Sequence, residues 1–148
     1  MENNFTLRPA TEQDFSAIQR LIRQVRINPT ALDWRRFVVA VGGSGEMRGC
    51  GQLKPHGKEI VELASIAVAP SERNKGVARA IIEQLIAKAP RPLYLTCRSG
   101  LQSFYEKWGF RAIGLDEMPL YYRRLSRFAN LMLGMVERSE SMLVMKLM

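Results

Sequence analysis

Residues 60–88 read IVELASIAVAPSERNKGVARAIIEQLIAK, and the first nine, apolar but for Glu62 and Ser65, end at Ala69-Pro70. That composition predicts a strand over 60–68. From Gly76 onward the apolar residues recur at helical spacing: Val77, Ala78, Ile81, Ile82 and Leu85 share one face, while Arg79, Glu83 and Lys88 reach water. A helix over 76–88 follows, and its apolar face must pack on a sheet. The connection through Ser71 to Lys75 is short and basic. A strand, a short loop and a glycine at a helix start make a favourable anion site, because unpaired backbone N–H groups and the helix dipole point at the same spot. Gly76 permits close approach there, and Arg73, Lys75 and Arg79 add positive charge suited to a pyrophosphate.

Toward the N-terminus, residues 5–9 read as a short strand, and Thr11 with Asp14 opens an amphipathic helix carrying Phe15, Ile18, Leu21, Ile22 and Val25. Asn28-Pro29 breaks it, and a second, shorter helix is expected over 31–36. The run 37–41 is a buried strand. After the turn Gly42-Gly43-Ser44-Gly45, residues 47–53 return as the other arm of a hairpin and end at the turn Pro55-His56-Gly57. Toward the C-terminus, Pro90 and Pro92 stop the long helix, 93–97 is another strand, 101–108 is a short helix closed by Gly109, and 110–115 is a further strand. Residues 120–135 form a basic amphipathic helical insertion, and 141–148 ends the sheet. The sum is one α/β (α+β) domain over residues 1–148, an antiparallel meander flanked by helices.

Composition narrows the function. The chain has 148 residues, 47% hydrophobic and 24% charged, ordinary values for one soluble domain. No apolar run reaches the roughly 18 residues of a membrane span, and the start Met-Glu-Asn-Asn-Phe lacks a signal pattern, so a cytosolic protein is expected. Cys50 and Cys97 are isolated and read as reduced packing residues. His56 is the single histidine, so a His-based metal site or a Ser-His-Asp triad lacks material without it, and its setting predicts a solvated turn residue. No metal is expected. The net charge of +8 favours anionic partners: a phosphorylated cofactor, nucleic acid or a membrane surface.

The pattern Arg73-x-x-Gly76-x-Ala78, preceded by Ile66-Ala67-Val68-Ala69-Pro70, closely resembles the acyl-CoA-binding motif of the GNAT superfamily of N-acetyltransferases, Gln/Arg-x-x-Gly-x-Gly/Ala. A second segment follows at the family's spacing: Phe104-Tyr105-Glu106-Lys107-Trp108-Gly109-Phe110 resembles Phe-Tyr-x-Lys-x-Gly-Phe. Leu7-Arg8-Pro9-Ala10-Thr11-Glu12-Gln13-Asp14 resembles the family's opening segment, and only the insertion at 120–135 departs clearly.

The resemblance implies a mixed, mostly antiparallel central sheet flanked by helices, whose two central strands, near 62–68 and 93–97, splay apart to hold acetyl-CoA. The backbone of Ile66, Ala67 and Val68 would bind pantetheine as an added strand does. Arg73, Asn74, Lys75, Gly76, Val77, Ala78 and Arg79 would hold the phosphates. Direct transfer needs a neutral amine, so a proton must be removed. Glu62 matches the position where several family members place a glutamate base; alternatively Glu59 and Glu62 are hydrophilic residues near a strand start that point away from the substrate or pair with Arg or Lys. Tyr105 matches the family tyrosine near the cofactor sulfur and would act as general acid, or else it is a core tyrosine beside Phe104 and Trp108. A backbone N–H near Val68 would face the developing oxyanion. Many relatives carry Asn seven residues before this tyrosine; here the residue is Arg98, which puts that contact to pantetheine in doubt.

The acceptor follows less directly. Substrate walls in such a fold come from residues 25–36 and 116–138. Tyr121, Tyr122, Arg123, Arg124 and Arg127 suit an acidic peptide or nucleic acid, or simply solvate one helix face. Trp34 reads as a packing residue. Leu131, Met132, Leu133, Met135, Met142 and Met145 are expected in the core or at a homodimer interface. A basic surface is a poor host for polyamines and aminoglycosides, which points to a protein or peptide amine. The competing readings are a non-catalytic acyl-CoA-sensing module and a basic nucleic-acid-binding protein, the latter without any zinc pattern, RNA-binding aromatic motif or DNA-reading helix to support it.

Overall fold

Phe37-Val38-Val39-Ala40-Val41 is buried along its length, as a strand covered on both faces must be. It lies in β2 (Phe37–Gly42), antiparallel to β1 (Phe5–Pro9) and to β3 (Met47–His56). The computed structural model describes residues 4–133 and 141–148. Among them, seven strands run in the order β1-β2-β3-β4-β5-β7-β6. The others are β4 (Ile60–Val68), β5 (Leu93–Arg98), β6 (Arg111–Ala112) and β7 (Met142–Leu147). The β4–β5 pairing is parallel and is made by Val61 with Leu93 and Glu62 with Tyr94. The expected mixed, mostly antiparallel sheet with flanking helices is therefore present. No helix among the described residues is long and apolar enough to cross a membrane.

The chain forms two compact units. The first comprises the residues up to Lys54 together with Leu63–Ala89. Its helix α1 (Phe15–Gln24) buries Ile18, Leu21 and Ile22 against Phe37, Val39 and Val41 of β2. Asp14 organises the entry: it accepts from the Thr11 N–H at 2.7 Å and pairs with Arg8 at 2.7 Å, which holds its carboxyl down at about 2. Helix α2 (Val77–Lys88) buries Val77, Ile81, Ile82 and Leu85. It lies so close to β3 that a Cβ on Gly51 would sit 2.6 Å from Ile66 and 2.8 Å from Ile81. Only glycine leaves room for that approach. Trp34 packs against the α1 core, as expected.

The second unit comprises Pro55–Glu62 and the residues from Pro90 onward. Its core joins Tyr94, Ile113, Met118, Tyr122 and Val144. Helix α3 (Gln102–Glu106) carries the Phe104 and Tyr105 rings, and α4 (Leu120–Leu133) buries Tyr122 and Ser126, one turn apart. Met145 is fully buried in this unit and Met142 packs on its core, so both are core residues. The side chains of Leu131, Met132 and Leu133, and Met135 as a whole, lie outside the described residues.

Four local expectations change. Residues 31–36 hold a single 3₁₀ turn, Trp34–Arg36, instead of a helix. The Asn28 carboxamide accepts from the Thr30 amide and Asp33 from the Arg35 amide, and such local bonds compete with helix. The strand expected over 110–115 shrinks to β6, because Gly114 opens a turn closed by the Glu117 N–H to the Gly114 carbonyl at 3.1 Å. The 101–108 helix begins as a 3₁₀ turn, Ser99–Leu101. Strand β3 continues to His56, which is not a solvated turn residue; its partners are described below.

Candidate functional site

In the first unit, β4 delivers Ile66, Ala67 and Val68 to a connection that begins with a 3₁₀ turn, Pro70–Glu72, and ends at α2. Two residues there are left-handed: Asn74 at φ +63° and Gly76 at φ +82°, the latter capping α2. The first helical bond runs from the Ala80 N–H to the Gly76 carbonyl at 3.1 Å. The amides of Val77, Ala78 and Arg79 therefore have no acceptor within the helix, which is the arrangement that binds anions. Arg73, Asn74, Lys75, Gly76 and Arg79 are exposed, Ala78 is half-buried, and the Val77 side chain belongs to the core.

The positive charge is partly matched. Glu72 lies 3.5 Å from the Lys75 ammonium and 3.7 Å from Arg48, and Arg79 donates to Glu83 at 3.0 Å. The Arg79–Glu83 pair is exposed, so a phosphate can displace it at small cost, whereas Arg48 and Glu72 are mostly covered. Earlier in β4, Ser65 stands at φ +59°, rare for a side-chain-bearing residue in a strand. It is held by the Gln52 carboxamide, which donates to its hydroxyl at 2.8 Å, and by the Cys50 thiol against its carbonyl at 3.7 Å. Burial pushes that thiol up to about 12, so Cys50 is an inert packing group.

In the second unit, Glu62 is buried beside its register partner Tyr94. Its Oε1 shares a hydrogen bond with His56 Nε2, and its Oε2 accepts from the Thr96 hydroxyl at 3.5 Å. The His56 side chain is only 12% exposed. Tyr121 stacks on its ring with centroids 4.1 Å apart and planes at 22°, and Tyr122 meets it edge-on at 6.1 Å. Tyr122 is fully buried, so it is not a substrate contact, and Arg123 donates to the Met118 carbonyl at 3.1 Å. Burial first, then the Glu62 charge, pushes the Tyr122 hydroxyl up. Glu62 is thus a buried, hydrogen-bonded side chain, and its described partners are His56 and Thr96 instead of an Arg or Lys.

Tyr105, in the same unit, sits in an aromatic group with Phe104, Trp108 and Phe110, at centroid distances of 5.0–6.3 Å within that group. Burial, with a smaller contribution from Cys97, pushes its hydroxyl up to about 12. Burial likewise raises Cys97 to about 11. Arg98 is exposed. No group of three or more His, Cys, Asp or Glu able to hold a metal occurs among the described residues.

The structure thus collects the expected phosphate residues on one loop and helix start, and places Glu62 and Tyr105 in the other unit. His56, Thr96 and Tyr121 as neighbours of Glu62 were missed. The one local signal is that His56 and Glu62 flank the same hairpin turn.

A family model described as an acetyltransferase (GNAT) domain matches residues 33–112. No protein of curated function matches the chain in sequence. Among solved structures, N-acetylglutamate synthase from Neisseria gonorrhoeae, complexed with coenzyme A and N-acetyl-glutamate, is similar at TM-score 0.74 and 22% identity. That match covers 100% of this chain and 36% of the other, so this chain spans about a third of that enzyme. Rv2747 from Mycobacterium tuberculosis, in complex with CoA, is similar at TM-score 0.70 and 22% identity over 97% and 99% of the two chains. Escherichia coli ElaA is similar at TM-score 0.68 and 14% identity over 96% and 98%. At such identities the structural likeness speaks for the fold.

Proposed function

Because the chain belongs to the GNAT acetyltransferase family, we propose that it moves the acetyl group of acetyl-CoA directly to a primary amine. The observation that carries this reading is the β4–loop–α2 segment, which lies within the family match and leaves three amides open at Gly76. Pantetheine binds along the backbone of Ile66, Ala67 and Val68, and the phosphates bind at residues 73–79.

Glu62 takes a proton from the acceptor ammonium, leaving a lone pair on nitrogen. The amine attacks the thioester carbon, the tetrahedral intermediate collapses, and the C–S bond breaks. Tyr105 gives its hydroxyl proton to the departing thiolate, and the second proton lost from the attacking nitrogen restores the Tyr105 hydroxyl. With its pKa raised to about 12, that hydroxyl stays protonated at neutral pH, as a general acid requires.

The acceptor is a peptide or protein amine, in keeping with the net charge of +8 and the exposed Arg124 and Arg127. A second reading, the α-amine of an amino acid, is favoured by the Neisseria structure with N-acetyl-glutamate. The free cysteines Cys50 and Cys97 fit a reducing cytoplasmic setting.

Thiol release by Glu62→Gln, followed against pH, tests the assignment. A rate loss that shrinks at high pH, where more amine is already neutral, supports base catalysis. A variant profile parallel to that of the parent removes Glu62 from the role.

A further inference from the structure

The single histidine of the chain is held beside the carboxylate read above as the base, although its local sequence resembles a plain turn. An ionised carboxylate only accepts hydrogen bonds, so the ring nitrogen facing it, Nε2, must carry the proton. That contact occupies Oε1. Oε2 has the Thr96 hydroxyl at 3.5 Å, the outer limit of a hydrogen bond, and the Tyr122 hydroxyl bears on the same carboxylate, so Oε2 is the less tightly held of the two oxygens. The imidazole cannot easily turn away, because Tyr121 stacks on its face and Tyr122 closes its edge.

We propose that His56 is a positioning residue for acetyl transfer: its Nε2–H fixes Oε1 of Glu62 so that Oε2 is the oxygen that accepts the amine proton. The inference rests on the reading of Glu62 as the base. One proton moves in this step, from the ammonium nitrogen to Oε2, and the neutral carboxyl returns it to solvent after the product leaves. The imidazole keeps its own proton throughout.

The groups that face the pair are Thr96 and Tyr94 from β5 and Tyr121 and Tyr122 from α4; Lys146 of β7 sits over the Tyr94 ring at 5.9 Å. Burial pushes the Tyr121 and Tyr122 hydroxyls up, so both stay protonated beside the pair.

The test compares His56→Leu and His56→Gln with the parent. His56→Leu removes the donor and should lower kcat by roughly 10- to 100-fold, with a displaced pH profile and a KM for acetyl-CoA within about 2-fold. His56→Gln keeps an N–H donor and should recover most of that loss. Nitrogen NMR of the one imidazole gives a second readout: the Nε2–H tautomer in the parent, and a changed tautomer balance in Glu62→Gln. Parent turnover with His56→Leu equal in rate and pH profile would overturn the inference alone, as would an imidazole signal indifferent to Glu62→Gln. A parent chain that binds acetyl-CoA but acetylates no amine would overturn the proposed function, and this inference with it.

Discussion

Replacing Gly76 by alanine separates what the loop needs in order to fold from what it needs in order to bind. Gly76 caps α2 at φ +82° and ψ 8°, a left-handed conformation that costs a residue with a Cβ about 1 kcal/mol. A Cβ built there meets no atom within 4 Å, so packing adds nothing to that cost. For a chain of this length the loss corresponds to a melting temperature lower by roughly 2–4 °C. Asparagine tolerates the left-handed region better, as Asn74 at φ +63° does in the same loop, so Gly76→Asn should melt between alanine and the parent. Binding should suffer more than folding. The methyl enters the space that phosphates must occupy to reach the amides of Val77, Ala78 and Arg79, and a tenfold weaker affinity is about 1.4 kcal/mol. Gly76→Glu, with bulk and negative charge, should abolish binding. Circular dichroism gives the melting points and calorimetric titration of acetyl-CoA gives the affinities. If Gly76→Ala melts a few degrees lower yet binds acetyl-CoA like the parent, no phosphate approaches that turn and the loop assignment is wrong.

Tyr105→Phe should keep acetyl-CoA affinity while lowering turnover by about 3- to 10-fold, a modest loss because a thiolate is a good leaving group. An unchanged turnover would remove the general-acid role. Asp14 gives a pH prediction with a defined sign. Its carboxyl is held at about 2 against an ordinary value of 3.8, so the contribution is present above pH 3.8 and is lost as pH falls toward about 2. Because Arg8 is 41% exposed, roughly 1 kcal/mol is expected after screening. In urea unfolding, Asp14→Asn should lack that acid-side slope, and a slope equal to the parent's would contradict the pairing.

The parts of the molecule legible from sequence are those governed by short-range pattern. The apolar run 37–41 and the helical spacing of Val77, Ile81, Ile82 and Leu85 each specify one element and its buried face, and both are as expected. Where side chains bond to nearby backbone, pattern misleads: Asn28 and Asp33 turn residues 31–36 away from helix. His56 is the instructive error. Pro55 and Gly57 flank it as in a turn, and the Tyr121 ring that covers it comes from α4, 65 positions later in the chain, so no local window holds the information. The loop around Gly76 was readable because its function depends on backbone geometry, which glycine announces. The Glu62 neighbourhood depends on side chains gathered from β3, β4, β5 and α4, which only the fold brings together.

The central claim is acetyl transfer from acetyl-CoA, and it is tested most directly by following thiol release from acetyl-CoA across a panel of peptides and amino acids. The account predicts release that requires both the chain and an amine, matched one for one by N-acetylated product in mass spectrometry. Absence of release with every amine, together with no heat of acetyl-CoA binding, would contradict it.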